Sequence, residues 1–317
     1  MKPLASSSLN SVARLGVVHH LLYLDTMANP AAHARTLREL IERPDIETLD
    51  CCLPAEGWQR TELIQAIRRS GKTNLCVAPF HFPIRKLSFA SVTEAEQRQV
   101  RSLLAESLRD AAEMGAMYFL VGSGGPPAGE ARPEHSRALR DFFGWLCAEL
   151  KPAGITVLLE PFDVEMDKCF MLGPTLKCAE FVAAVAAEYD NVGIELDFAH
   201  LPLLREDFAS AIHAVRPWLK RVHVGNCLIK NREDRFYGDN HPPIGYPDGE
   251  IDTPQVAEIL RLLHEVGYLN ETNRGDVILE IQPFPGKSVE ASLADNFARL
   301  ETAWELSGKA APPLPTR

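Results

Sequence analysis

At 317 residues the chain exceeds the usual length of one domain, yet α/β barrels reach this size around a single core, and one domain is expected over residues 1–317. Its 33 Lys and Arg against 43 Asp and Glu give a formal net charge of −10, which repels a phosphate backbone and argues against nucleic acid as a partner. The seven cysteines form no ladder of disulfide spacings, and no apolar run is long enough to span a bilayer, so a soluble cytoplasmic protein is expected.

Short apolar, β-branched segments alternate with longer segments of helical period, the pattern of repeated βα units. The strands are placed at about 15–22, 46–53, 74–82, 116–122, 155–162, 191–198, 219–225 and 276–283. Eight such units close a (β/α)8 TIM barrel. Between them, Ser91 to Glu94 opens the long helix before strand four, and Gly115 and Gly154 fall where helices should stop. Val256, Ile259, Leu260 and Leu263 recur at spacings of three and four, with Thr253-Pro254 as the expected helix start. Residues from about 308 to 317 read as a flexible tail.

One connection is too long for a tight loop. From Cys227 to about Ile251 the chain carries little helix or strand pattern, and long structureless segments in compact domains are usually functional. It follows strand seven and is expected to lie over the cup of the barrel as a lid or pocket wall, with its Pro and Gly content fixing its shape.

Four strands in the second half end on groups that bind metals: Glu160 in TVLLEPFD, Asp197 in VGIELDFAH, His223 in KRVHVGNC and Glu280 in DVILEIQPF. The C-terminal ends of barrel strands converge on one cup, so these side chains should meet there. Three carboxylates and one imidazole suit a single divalent ion, with Mn²⁺ the first choice and Mg²⁺, Co²⁺ or Zn²⁺ the alternatives. Deeper on the same faces, Glu195 and Arg221 are expected to form a buried ion pair. His19 and His20 end strand one, and one of them should face the cup. Trp58, Phe80, Phe82, Phe162, Phe198 and Phe284 sit near strand ends, where several should wall the pocket.

Glu160, Asp197-x-x-His200, His223, the segment Gly245 to Asp252 and Glu280 together resemble the xylose isomerase-like TIM barrels, a group that includes ketose 3-epimerases, hydroxypyruvate isomerase, inosose dehydratase and endonuclease IV. The resemblance covers essentially the whole chain. It implies that Glu160, Asp197, His223 and Glu280 hold one ion, which binds a sugar carbonyl and hydroxyl. Glu160 and Glu280 then act as acid and base through a metal-bound enediolate, and His200 hydrogen-bonds a substrate hydroxyl. Many epimerase-like relatives carry an acidic residue and an arginine after the strand-seven His, where this chain has Asn226 and Ile229, with Lys230 the nearest base to contact substrate.

A second resemblance runs through Asp239-x-His241, which is similar to the loop that supplies extra zinc ligands in endonuclease IV; with His81 it brings a multinuclear phosphodiesterase into consideration. Against that, strand four ends in VGSGG where the nuclease pattern requires another histidine. Without zinc, Asp239 orients His241 as a general acid or base. The long loop also resembles proteins that act on 3-keto-glycosides, including C-glycoside deglycosidases with a small second subunit. The expected activity is therefore a keto-sugar isomerase or epimerase, with elimination from a 3-keto-glycoside as the alternative. A small carbohydrate is the expected partner, no membrane is, and a homo-oligomer or hetero-assembly fits the exposed barrel helices.

Overall fold

Each apolar run becomes a strand: β1 Ala13–Val18, β2 Thr48–Cys51, β3 Thr73–Val77, β4 Tyr118–Val121, β5 Thr156–Leu159, β6 Val192–Asp197, β7 Leu219–Gly225 and β8 Gly275–Glu280. In this computed structural model, which describes residues 8–54, 59–77, 88–127 and 132–308, they form a closed parallel barrel in chain order, with β8 pairing back onto β1. The strands are buried along almost their whole length, as expected for a parallel sheet covered by helices outside and packed side chains within. Among the described residues no helix is long and apolar enough to cross a membrane.

The helical stripes pack on the barrel as their spacing predicts. In the helix Thr253–Glu265, Val256, Ile259, Leu260 and Leu263 are all buried. Its start differs from the expected one. Asp252, not Thr253, is the cap: its side chain accepts the Thr253 N–H, and its own N–H donates to the Gln255 side chain, completing a capping box with Pro254 inside the first turn. Gly115 closes the helix Glu94–Met114 in the left-handed conformation, and Gly154 does the same for the turn Lys151–Ala153.

One irregularity sets the level of the site. Ile194 pairs with Leu219, but Glu195 pairs with Arg221 and Asp197 with His223, so β7 carries one extra residue at Lys220. This bulge turns Lys220 outward and brings Arg221 and His223 level with Glu195 and Asp197. Without the shift, Asp197 would lie beside Val222.

Arg221 does not pair with Glu195, contrary to the sequence expectation. Its guanidinium is fully buried and bonds Asp50 on β2, Thr48 Oγ1 at 2.7 Å and Asp276 Oδ2 on β8 at 2.8 Å. Asp50 and Asp276 lie on the strands flanking β1, and their two carboxylates draw the fork across the barrel. Glu195 turns up to His223 instead. Replacing Arg221 with Met, which keeps most of the volume, leaves Asp50 and Asp276 buried with too little positive charge and should lower the unfolding free energy by about 3–5 kcal/mol, read from urea denaturation. A loss under about 1 kcal/mol would mean that water or protons replace the guanidinium at little cost.

Candidate functional site

Asp197 is the last residue of β6, and its Oδ1 accepts the Ala199 N–H at 2.9 Å. That local bond starts the turn into the short helix His200–Leu204 and leaves Oδ2 buried without a hydrogen bond, facing the cup. The His200 ring is fixed from behind, because Nδ1 donates to the Pro161 carbonyl at 2.8 Å. Its other nitrogen, Nε2, therefore points at Asp197 Oδ2 (3.1 Å) and Asp239 Oδ1 (3.2 Å).

The long connection after β7 has a fixed shape. Phe236, Ile244 and Ile251 are buried in it, and the fully buried Asn226 ties it down by accepting the Ile251 N–H at 2.8 Å and donating to the Pro243 carbonyl at 3.1 Å. Its tip carries His241 in the left-handed region, at φ 47°, an uncommon backbone for a residue with a Cβ. The end of β8 holds that conformation: the Gln282 N–H donates to the His241 carbonyl at 2.7 Å, and the Gln282 side chain donates to the Asn240 carbonyl at 2.6 Å. Gly225 makes room, since a Cβ there would lie 2.9 Å from His241 Nδ1.

Three donor groups result, two of them at the cup and a third, Asp50, Glu195 and His223, on the far side of the His223 ring. Donor atoms of Glu160, His223 and Glu280 lie within 4.8 Å of one another, and those of Asp197, His200, Asp239 and His241 form a second such group. His241 joins them, with Nε2 2.9 Å from Asp239 Oδ1 and 3.9 Å from Glu280 Oε1. Asp197, expected as the fourth member of the first group, falls instead in the second. All of these side chains are buried or nearly so, at the end of a cavity of about 340 Å³.

The charges respond to this crowding. Burial, and then the neighbouring Glu280, push the Glu160 carboxyl well above its usual range, although His200 opposes the shift. Burial raises Asp197 as well. Burial opposes ionisation of Glu280 too, but His223 and His241 outweigh it and hold that carboxyl below its usual range. For His200, His223 and His241 burial disfavours the charged ring, yet the facing carboxylates win and raise all three. A bound dication would reverse this logic by favouring ionised carboxylates and neutral rings.

The other expected residues divide. His20 lines the cavity and is held down to about 4, chiefly by burial, whereas His19 bonds Thr36 Oγ1 and stacks on His33. Phe162 walls the cavity; Phe198 packs in the core against Phe208, and Phe284 lies under Lys287. His81, Trp58, Phe80 and Phe82 lie outside the described residues. Lys230 does not face the cup: its ammonium pairs with Glu250 at 3.1 Å and its side chain is 55% exposed. The cationic group in the cavity wall is Lys168, which contacts Asp239 Oδ2 at 2.8 Å, the Asp239 carbonyl at 3.0 Å and Asp167 at 3.1 Å. Asp163 builds its loop by accepting the N–H groups of Met166, Asp167 and Lys168. Cys227 is fully buried with its thiol pushed up, chiefly by burial, and is no nucleophile.

Residues 38–300 match the model of a family described as xylose isomerase-like TIM barrel. The chain belongs to that family. No curated protein matches its sequence. Among solved structures the xylose isomerase-like barrel here is similar to a D-tagatose 3-epimerase-like protein (18% identity, 92% of this chain and 99% of the other, TM-score 0.64). It is likewise similar to the apo form of 3-keto-D-glucoside 4-epimerase from E. coli (18%, 92% and 99%, 0.62). A third is an AP endonuclease, family 2, from Brucella melitensis (20%, 91% and 99%, 0.66). At these identities the likeness establishes the shared barrel.

The Asn226 clasp has a measurable consequence. Asn226→Ala strands the Ile251 N–H and the Pro243 carbonyl; it should cost about 1–3 kcal/mol and raise hydrogen exchange in a peptide spanning residues 244–252. Unchanged exchange there would show that the buried apolar side chains alone hold the loop.

Proposed function

We propose that the chain is a divalent-metal-dependent sugar or keto-sugar epimerase or isomerase that removes a proton next to a carbonyl. The observation that supports this reading best is the meeting of Glu160 and Glu280, from β5 and β8, with His223 at the end of one cavity of ligand size. The residues fit an ion. Asp197 Oδ2, His223 Nδ1 and Glu280 Oε2 are buried without hydrogen bonds, and hard oxygens with one imidazole form the donor set of Mn²⁺ or a similar ion. Glu160, Asp197, His223 and Glu280 would hold it. When bound, the ion polarises the substrate carbonyl and stabilises negative charge on its oxygen.

The chain supplies the proton transfers. One glutamate takes the proton from the carbon beside the carbonyl, and the C–H electrons move into a C=C bond as the carbonyl oxygen becomes an enolate. Return of a proton from the other glutamate, to the opposite face, inverts the centre. The Asp239–His241 pair borders the same cavity and is placed to bond substrate hydroxyls, with His200 packed behind it against Asp239. Expulsion of a substituent from the adjacent carbon of the same enolate gives the lyase outcome.

A second reading has its own observation. The four donors of Asp197, His200, Asp239 and His241 are spaced as a second cation would need them, which favours a multinuclear hydrolase. Lys168 beside Asp239, and Ser123 after β4 where that chemistry calls for a histidine, weigh against it.

Two measurements follow. Saturating Mn²⁺ at about 100 times its Kd should stabilise the ion-stripped chain by about 2.7 kcal/mol, raising the melting temperature by several degrees, with reversal by EDTA. One ion per chain by metal analysis fits the epimerase reading, and two or three the hydrolase. In D₂O a keto-sugar substrate should gain solvent deuterium at the carbon beside its carbonyl. Glu160→Gln and Glu280→Gln should each lower that exchange by about 10²–10⁴-fold. Turnover of phosphodiesters without any such exchange would sink the enolisation mechanism.

A further inference from the structure

His223 is gripped from below. Its Nδ1 faces the cup, 2.5 Å from Glu280 Oε2 and 4.0 Å from Glu160 Oε1. The opposite nitrogen, Nε2, lies 2.7 Å from Asp50 Oδ2 and 2.5 Å from Glu195 Oε1. All three residues are buried, and neither Asp50 nor Glu195 borders the cavity.

Asp50 Oδ2 is hydrogen-bonded to Nε2 and Glu195 Oε1 crowds the same nitrogen, so the ring's lower edge is committed to these two carboxyl groups. The nitrogen left to shed its proton and offer a lone pair is Nδ1. Asp50 is aimed by the layer beneath: its Oδ1 is taken by Arg221, which is anchored to Thr48 and Asp276, leaving Oδ2 for the ring. Glu195 has no other such role. Among the described residues its one close polar contact is His223, at 2.5 Å, and neither of its oxygens makes a well-directed hydrogen bond to any group. Burying a carboxylate is costly, and a satisfied Arg221 gives no reason to keep one here. The grip comes from three strands, β2, β6 and β7, so the closed barrel sets the ring plane.

We propose that Asp50 and Glu195 are positioning residues for ion binding: they hold the Nε2–H of His223 from opposite strands, so that Nδ1 is presented to the cup. This rests on the reading that the cup takes a divalent ion. Outer carboxylates of this kind raise the basicity of a ligating imidazole and fix its orientation.

The test is calorimetric titration of the ion-stripped chain with Mn²⁺, for wild type, Asp50→Asn, Glu195→Gln and, as control, Asp276→Asn. The control removes a buried carboxylate that contacts Arg221 but not His223. Asp50→Asn and Glu195→Gln should each weaken Mn²⁺ binding by about 10–100-fold, and Asp276→Asn by much less. Circular dichroism checks folding, and if Asp50→Asn fails to fold, Glu195→Gln carries the test. Glu195→Gln should melt no lower than wild type without the ion, whereas a purely structural residue would change melting and leave affinity intact. Wild-type affinity in Glu195→Gln, or equal weakening by Asp276→Asn, overturns the positioning role alone. A wild-type chain that takes up no Mn²⁺ overturns the metal reading, and this role with it.

Discussion

Asp50, Glu160, Glu195, Asp197, Asp239, Asp276 and Glu280 are all buried, and together they place a density of negative charge in the barrel and its lid that a protein interior does not tolerate without compensation. The lower part of the barrel answers with fixed cations. Arg221 spans Asp50 and Asp276, and Arg14 adds a second contact to Asp276 at 2.5 Å. The upper part answers with imidazoles and with Lys168. Histidines are weak compensators, because their charge depends on the same carboxylates that need it. Asp197 Oδ2, His200 Nε2, His223 Nδ1, both Asp239 carboxylate oxygens, His241 Nδ1 and Glu280 Oε2 are buried without hydrogen bonds around the cup, a place where an added positive charge stabilises.

The loops make that charge density possible by holding the side chains where they cannot relax apart. The connection after β5 and the connection after β7 are joined through Lys168, Asp167 and Asp239, with the Asp239 N–H donating to Asp167 at 3.2 Å. Each loop is also tied down internally, by Asp163 in one case and by Asn226, next to the end of β7, in the other. Such rigidity is what preorganisation requires: the cost of bringing like charges together is met in folding, before any ligand arrives. The left-handed backbone of His241, held by Gln282, belongs to the same economy of strain.

The strands were legible because a parallel barrel repeats one simple pattern, and all eight lie within a few residues of where apolar runs place them. The ligand candidates were legible for a related reason, since a charged residue at the C-terminal edge of such a run has only the cup to enter. Pairings across the barrel were not. Glu195 and Arg221 share a level, so adjacency suggested a bond, but the guanidinium is long enough to reach β2 and β8, where two carboxylates outbid one. Asp50 carried a signal that strand periodicity alone does not interpret, an acid within the apolar run ETLDC. Lys168 carried none. Its placement depends on Asp163 folding an irregular loop, whereas Lys230, nearer in sequence to the strand-seven ligand, leaves the cup to pair with Glu250.

The two donor groups at the cup also bear on why one scaffold supports different chemistries. Asp197 belongs to the second, with Oδ2 3.1 Å from His200 and 3.9 Å from His241, and His241 Nε2 lies 3.9 Å from Glu280 of the first, so whatever binds one group alters the charge felt by the other. With Lys168 on Asp239, the second group already contains a cation of its own, and a proton on His241 or His200 completes it without a metal. In that state the Asp239–His241 pair holds a proton beside Glu280. Loss of the lysine charge would leave the same atoms as a cation site. That ammonium comes from the loop after β5, outside the strands that define the barrel, so the charge of the second group is set by the loops rather than by the strands.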